Sequence, residues 1–239
     1  MRRHYLIVDD NVAFAENLAE IVRDEGNEVS LASTGAEALQ LVRVTPFDAV
    51  LTDMRMPVMG GAQLVHELRQ IDPGIPAVVV TAYIGDRDIN YAVREGLLAV
   101  LSKPIPIAKL MELLQVARRD GIVVLVEDDG ALSDNLSEAL RARGLTAVTS
   151  SSVLETQRLG PLRPFSAIVD LRVPGGPDGE AMRQLLKRFP GLPIVVITGH
   201  DVSPPSPPHK LFRKPFATEE VMGAIERLYS TRSEPNEHR

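Results

Sequence analysis

Two adjacent aspartates, Asp9 and Asp10, follow the apolar run Tyr5-Leu6-Ile7-Val8. A third, Asp53, ends the run that starts at Ala49, Thr81 closes the run from Ala77, and Lys103, followed by Pro104, closes the run from Ala99. Three carboxylates brought together repel one another, which raises the pKa of at least one unless a cation neutralises the cluster. The donor set is oxygen only, with no cysteine in the chain and no histidine at a matching position. That set favours Mg²⁺ over zinc, with water and phosphate oxygens as the remaining ligands. A lysine as charge partner and a threonine hydroxyl as donor would complete a phosphate cradle beside the ion. A carboxylate in such a cradle is a nucleophile prepared to accept a phosphoryl group.

These residues meet only if the chain places the ends of several strands side by side. Short apolar runs at Leu6–Val8, Val29–Ala32, Ala49–Leu51, Ala77–Val80 and Ala99–Leu101 alternate with stretches of helical periodicity. The first helical stretch puts Phe14, Leu18, Ile21 and Val22 on one face and stops at Gly26; the second opens with Thr34 and Glu37 spaced as a capping box. Continuous apolar strands between amphipathic helices predict an α/β fold with a parallel sheet covered on both faces. Ligands of such sheets bind beyond the carboxyl ends of the strands, where strand order reverses. Asp9, Asp10, Asp53, Thr81 and Lys103 all fall there.

The pattern then repeats. Leu6-Ile7-Val8-Asp9-Asp10 aligns with Leu125-Val126-Glu127-Asp128-Asp129, which sets Asp9 opposite Asp128 and Asp10 opposite Asp129. Asp53 is answered by Asp170, Thr81 by Thr198 and Lys103-Pro104 by Lys214-Pro215. A period this long denotes duplicated domains rather than a solenoid. The expected organisation is a first domain over 1–119, a second over 120–230 and a flexible tail over 231–239. The junction at Arg119-Asp120-Gly121 is almost without linker. Between Thr198 and Lys214 the second copy carries Pro204, Pro205, Pro207 and Pro208. Prolines cannot continue a helix, so its fourth helix is expected to be shortened or missing.

Composition narrows the function classes. With 26 Lys+Arg against 32 Asp+Glu the net charge is −6, which argues against a basic nucleic-acid-binding face. The basic start, Met1-Arg2-Arg3-His4, is followed by too short an apolar run for a signal peptide, and no stretch is long and apolar enough to span a membrane. The expectation is a cytoplasmic protein bound to neither nucleic acid nor membrane.

Both copies resemble the receiver domains of two-component response regulators. The motifs that carry the likeness are Val8-Asp9-Asp10, Thr52-Asp53-Met54-Arg55-Met56-Pro57, Val80-Thr81-Ala82 and Lys103-Pro104, then Glu127-Asp128-Asp129, Val169-Asp170-Leu171-Arg172-Val173-Pro174, Ile197-Thr198-Gly199 and Lys214-Pro215-Phe216. The resemblance implies two tandem, doubly wound, five-stranded parallel sheets of flavodoxin-like strand order 2-1-3-4-5. It implies phosphorelay signalling, with Asp53 and Asp170 as acceptors of a phosphoryl group from a histidine kinase or phosphotransfer protein. Thr81, Lys103, Thr198 and Lys214 would assist the transfer. Asp10 and Asp129 would bind Mg²⁺ directly, Asp9 and Asp128 largely through water, and the carbonyls of Arg55 and Arg172 would add a ligand. Cis peptide bonds before Pro104 and Pro215, a downstream protein partner and a homodimer belong to the same expectation. The only catalysis implied is of the protein's own phosphorylation and dephosphorylation, so the chain is read as a signalling phosphoacceptor rather than an enzyme. The alternative is a receiver-derived scaffold in which one or both copies dock partners without phosphorylation. A phosphate-ester phosphatase is disfavoured because the acidic pair is adjacent rather than spaced as Asp-x-Asp.

Two departures accompany the likeness. Receivers usually carry an aromatic residue three positions before the lysine, and here Val100 and Leu211 stand there. Arg55 and Arg172, two residues after each acceptor, are placed to reach the phosphoryl oxygens and tune its lifetime. His66-Glu67-Leu68-Arg69 looks like a phospho-histidine box but lacks the following Thr-Pro, and its spacing with Leu64, Leu68 and Ile71 reads as an ordinary surface helix.

Overall fold

The structure, a computed structural model, describes residues 2–82 and 96–232. The first repeat runs β1 (His4–Val8), α1 (Val12–Asp24), β2 (Glu28–Ala32), α2 (Gly35–Val44), β3 (Ala49–Asp53), α3 (Gly61–Ile71), β4 (Ala77–Thr81), β5 (Ala99–Ser102) and α4 (Ile107–Val116). The segment between Thr81 and Ala99 expected to hold a further helix falls largely outside the described residues. The second repeat runs β6 (Ile122–Val126), α5 (Gly130–Arg141), β7 (Thr146–Ser150), α6 (Val153–Gln157), β8 (Ser166–Asp170), α7 (Glu180–Arg188), β9 (Ile194–Thr198), β10 (Lys210–Arg213) and α8 (Thr218–Thr231).

Each repeat forms its own five-stranded sheet, ordered β2-β1-β3-β4-β5 and β7-β6-β8-β9-β10, with parallel registers such as Tyr5 beside Val29 and Val126 beside Val169. The order 2-1-3-4-5 is therefore present twice, as expected. The chain divides into two compact units, one built on the residues up to Gly121 together with Arg141–Val148 and Leu159–Arg163, the other on the remaining residues from Ile122 onward.

The first sheet is covered on both faces because successive strand residues point to opposite sides. Tyr5, Ile7, Ala49, Leu51 and Val78 pack with Ala15, Leu18, Val22, Leu110 and Leu114 of α1 and α4. Their neighbours Leu6, Val8 and Val50 pack the other way, with Ala38, Leu64 and Leu68 of α2 and α3. In α1 the buried stripe is Ala15, Leu18, Ala19 and Val22, and Ile21 lies more than a third exposed. The small Ala15 and Ala19, invisible to a pattern that weighs bulky residues, bring the helix close to the sheet.

Local chemistry starts the helices. Asn11 Oδ1 accepts the Phe14 N–H at 3.1 Å and caps α1. Thr34 Oγ1 accepts the Glu37 N–H at 3.2 Å, and Glu37 reaches back to the Ser33 N–H at 2.8 Å, one residue earlier than a strict capping box. The same device recurs at Ser151, Ser152 and Glu155. Yet α6 spans only five residues where α2 spans ten.

Between β9 and β10 there is no helix: residues 199–209 form an irregular path, consistent with its four prolines. At the other end, Ser230 and Thr231 belong to α8, with both hydroxyls bonded to carbonyls of the preceding turn. The tail expected from 231 thus loses its first residue to the helix; 233–239 lie outside the described residues.

Candidate functional site

Strand ends deliver the predicted side chains to one place in each repeat. Asp9 directly follows β1, Asp53 is the last residue of β3 and Thr81 the last of β4; each is less than a tenth exposed. The Lys103 N–H donates to the Thr81 carbonyl at 2.8 Å, which extends the β4–β5 pairing and carries the lysine across the sheet end. Its Nζ then bridges Asp53 Oδ1 at 2.6 Å and Asp9 Oδ2 at 2.8 Å. The second oxygen of each carboxylate takes a backbone N–H: Asp53 Oδ2 from Arg55 at 2.6 Å and Asp9 Oδ1 from Asn11 at 2.9 Å. Asp10 is exposed beside them.

The second repeat reproduces this arrangement in a register one residue away from the sequence alignment. Lys214 Nζ bridges Asp170 Oδ2 at 2.6 Å and Glu127 Oε2 at 2.7 Å, and the Arg172 N–H donates to Asp170 Oδ1 at 2.9 Å. Glu127 Oε1 accepts the Asp129 N–H at 3.1 Å, as Asp9 accepts from Asn11. Glu127 is therefore the counterpart of Asp9 and Asp128 that of Asp10. Asp129 stands where Asn11 stands: its Oδ1 accepts the Leu132 N–H at 3.1 Å at the start of α5. Matching the two Asp-Asp pairs gave the wrong register, because strand β6 ends at Val126 as β1 ends at Val8. The signal that could have found it was the first acidic residue after each apolar run, Asp9 after Val8 and Glu127 after Val126, against the lure of an identical dipeptide.

Carboxylate oxygens of Glu127, Asp128 and Asp170 lie within 4.8 Å of one another, and this is the one such group among the described residues. A cluster of three hard oxygen donors fits a divalent ion such as Mg²⁺. Asp129 is not in it.

Electrostatics follow from the bridging lysines. Burial pulls Lys103 and Lys214 down, but hydrogen bonds and charge from Asp53 and Asp9, or from Asp170 and Glu127, outweigh it and hold both ammonium groups above the ordinary lysine value. Burial pushes Glu127 up, against the opposing pull of Lys214. Both Lys-Pro bonds are cis, as expected.

The loops after the acceptors differ. Gly61 begins α3 so close to β3 that a Cβ there would lie 2.4 Å from the Asp53 carbonyl oxygen. In the second repeat the helix opens only at Glu180, and the looser loop places Asp178 against Arg172, which pairs with both of its carboxylate oxygens at 3.2 and 3.1 Å. Arg172 also meets His200 Nδ1 at 3.3 Å. Arg55 is exposed in its loop. Val100 packs half-buried against Met54, Val65 and Val79; Leu211 is also half-buried.

Sequence reasoning missed one buried residue of the lookalike His66–Arg69 stretch. Arg69 is 1% exposed, and its guanidinium donates to the carbonyls of Pro73, Ile75 and Gly96. The stretch is a structural anchor, and its arginine faces inward.

A parallel sheet with helices on both faces and a lysine bridging carboxylates at its strand ends defines the class of doubly wound α/β proteins, whose ligands bind at that edge. Comparison with known proteins narrows it. The response regulator receiver domain family matches residues 5–115. A response regulator receiver protein of Anaeromyxobacter sp. (strain Fw109-5) is 61% identical over 97% of this chain and 98% of its own length. The transcriptional regulatory protein ZraR of Escherichia coli (strain K12) is 36% identical over 47% of this chain and 25% of its own. Among solved structures, a CheY-like receiver domain protein from Methanospirillum hungatei JF-1 has 29% identity and a TM-score of 0.46, over 48% of this chain and 92% of that one. The chain belongs to the response regulator receiver family, and its function is phosphorelay signal transduction. No described helix is long and apolar enough to cross a membrane.

Proposed function

We propose that this chain is a two-receiver phosphoacceptor in which Asp53, and in the second repeat Asp170, takes a phosphoryl group from a histidine kinase or phosphotransfer protein in the cytoplasm. The two receivers would span 1–119 and 120–230. The observation that carries the reading is the lysine bridge, Lys103 on Asp53 and Asp9, repeated by Lys214 on Asp170 and Glu127. In each repeat a buried carboxylate is held next to a cation that remains to neutralise the incoming phosphoryl oxygens. An acceptor oxygen attacks phosphorus and the donor's leaving group departs with the bonding pair. The lysine then turns its charge from carboxylate to phosphoryl group, and the Thr81 or Thr198 hydroxyl donates to it.

Mg²⁺, when bound, supplies charge neutralisation between carboxylates and phosphoryl oxygens. Its holders would be Asp9, Asp10, Asp53 and the Arg55 carbonyl in the first repeat, and Glu127, Asp128, Asp170 and the Arg172 carbonyl in the second. The chain acts as a signalling protein that passes its state to a protein partner and catalyses only its own phosphorylation and dephosphorylation. Incubation of wild type, Asp53→Asn and Asp170→Asn with acetyl phosphate and Mg²⁺, followed by intact-mass measurement, tests this. Two phosphoryl groups on wild type and one on each variant are expected. An unmodified wild type, also after exposure to a phosphorylated kinase, would instead favour a scaffold that docks without phosphorylation.

A further inference from the structure

The ammonium group of Lys103 has a third neighbour besides its two carboxylates. Its Nζ lies 4.3 Å from the centroid of the Phe14 ring, within the range at which a ring face attracts a cation. Phe14 is not there by accident of a flexible loop. Asp9 Oδ1 accepts the Asn11 N–H, Asn11 Oδ1 accepts the Phe14 N–H, and Lys103 donates to Asp9 Oδ2. Ring, cap and carboxylate thus close a circuit around the lysine, so the position of the aromatic face is tied to that of the buried acid. The second repeat keeps the circuit and lacks the ring: Glu127 accepts from Asp129, Asp129 from Leu132, and Lys214 donates to Glu127. Leu132 occupies the place of Phe14.

We propose that Phe14 is a positioning residue that holds the Lys103 ammonium over the first site while the charge on Asp53 is being rearranged. This rests on the reading of Asp53 as phosphoacceptor. Before transfer, Lys103 is gripped by two carboxylates. As the bond from Asp53 to phosphorus forms and the bond from phosphorus to the acetate of acetyl phosphate breaks, with acetate leaving on the electron pair, Asp53 ceases to be a carboxylate. One grip weakens at the moment when the ammonium must face the phosphoryl oxygens. The attraction of the Phe14 ring does not depend on the state of Asp53, so it persists through the step and limits how far Nζ can swing toward water. The first repeat would therefore phosphorylate faster than the second for a reason other than its carboxylates.

The test uses the full chain in an Asp170→Asn background, so that only the first site is counted, with Phe14→Leu, Phe14→Tyr and Phe14 replaced by phenylalanines of increasing fluorination. Proton NMR of the Lys103 Cε methylene should show an upfield ring-current displacement that Phe14→Leu abolishes and Phe14→Tyr keeps. Phosphorylation by acetyl phosphate should slow roughly 3- to 10-fold in Phe14→Leu, the span a cation–π contact of ordinary strength supports. Tyr should restore it, and each added fluorine should lower the logarithm of the rate by a further step. A merely volumetric role would not produce the fluorine series, and Leu132 shows that leucine suits this helix position. Unshifted Lys103 protons in the parent protein, or a Phe14→Leu rate equal to the parent's, would overturn the proposal. A parent that shows the ring-current shift but accepts no phosphoryl group, from acetyl phosphate or from a kinase, would support the placement of Phe14 and overturn the phosphoacceptor reading instead.

Discussion

The two repeats share a sheet order, a lysine bridge and the device that caps the second helix, yet they differ in almost everything that surrounds the site. The first has α2 of ten residues where the second has α6 of five, and α3 begins at Gly61 against the Asp53 carbonyl where α7 begins only at Glu180. The second replaces Asp9 by Glu127, Phe14 by Leu132 and Val58 by Gly175. The lesson is that the site depends on strand ends rather than on the helices. Lys103 and Lys214 reach the same two partners because β-sheet hydrogen bonds, from each lysine N–H to the Thr81 or Thr198 carbonyl, fix where they start. Helices and loops could diverge without moving those atoms, and what they change is how the neighbours of the site respond.

That comparison breaks most visibly at the lysines. Lys103→Met leaves Asp9 and Asp53 buried without their cation, and Lys214→Met does the same to Glu127 and Asp170. Each change should cost about 2–4 kcal/mol, somewhat below the full cost of breaking a buried pair because the lysines are partly exposed. Denaturant unfolding should show the loss, and added Mg²⁺ should recover part of it. Equal losses would support equivalent sites; a loss confined to one repeat would show that the bridge matters in that repeat alone.

Arg69 belongs to the first repeat only, its place in α7 being taken by Leu186. Arg69→Leu removes a buried guanidinium from three backbone carbonyls and should cost about 2–3 kcal/mol, each unpaired carbonyl contributing its desolvation penalty. Leu186→Ala in the half-buried counterpart should cost less, and the two unfolding curves measure the difference.

Val58 offers a change of opposite sign. It has φ of 67°, and the Met59 N–H donates to the Pro57 carbonyl at 2.7 Å, the pattern of a γ-turn that a β-branched residue adopts at a cost. Gly175, with φ of 98°, bears no such cost in the second repeat. Val58→Gly should stabilise the first repeat by about 0.5–1 kcal/mol, the strain relieved less the added freedom of glycine in the unfolded chain. No rise in its melting temperature would mean that the strain is relieved elsewhere.

The smallest expected effect is one of pH. Glu127 holds its proton more tightly folded than unfolded, since burial raises its pKa above the ordinary glutamate value. Its favourable contribution is complete below about 4.5 and is lost as pH rises through the raised folded value. Glu127→Gln should remove that decline from the stability of the second repeat, measured from mildly acidic to neutral pH. An unchanged slope would assign the pH dependence to other groups.

Much of this protein was legible before any coordinates. Apolar runs of three to five residues, broken by amphipathic stretches, specify a parallel sheet because both faces must be covered, and polar residues at the ends of those runs then have one place to meet. Asp53, Asp170, Thr81, Thr198 and both lysines were readable on that ground, as was the proline-rich crossing from β9 to β10. Three things were not. The pairing of Glu127 with Lys214 rather than with an aspartate depends on where β6 stops, to within one residue. The burial of Arg69 depends on carbonyls supplied by the loop that follows α3 and by Gly96 further along the chain. The seat of Phe14 over Lys103 joins residues on a helix and a strand end at opposite limits of the first repeat. Periodicity and local hydrogen bonding act over a few residues and so are written in the sequence. Contacts between segments distant in the chain exist only once the sheet has brought them within a few ångströms, and only the folded structure decides which atoms meet.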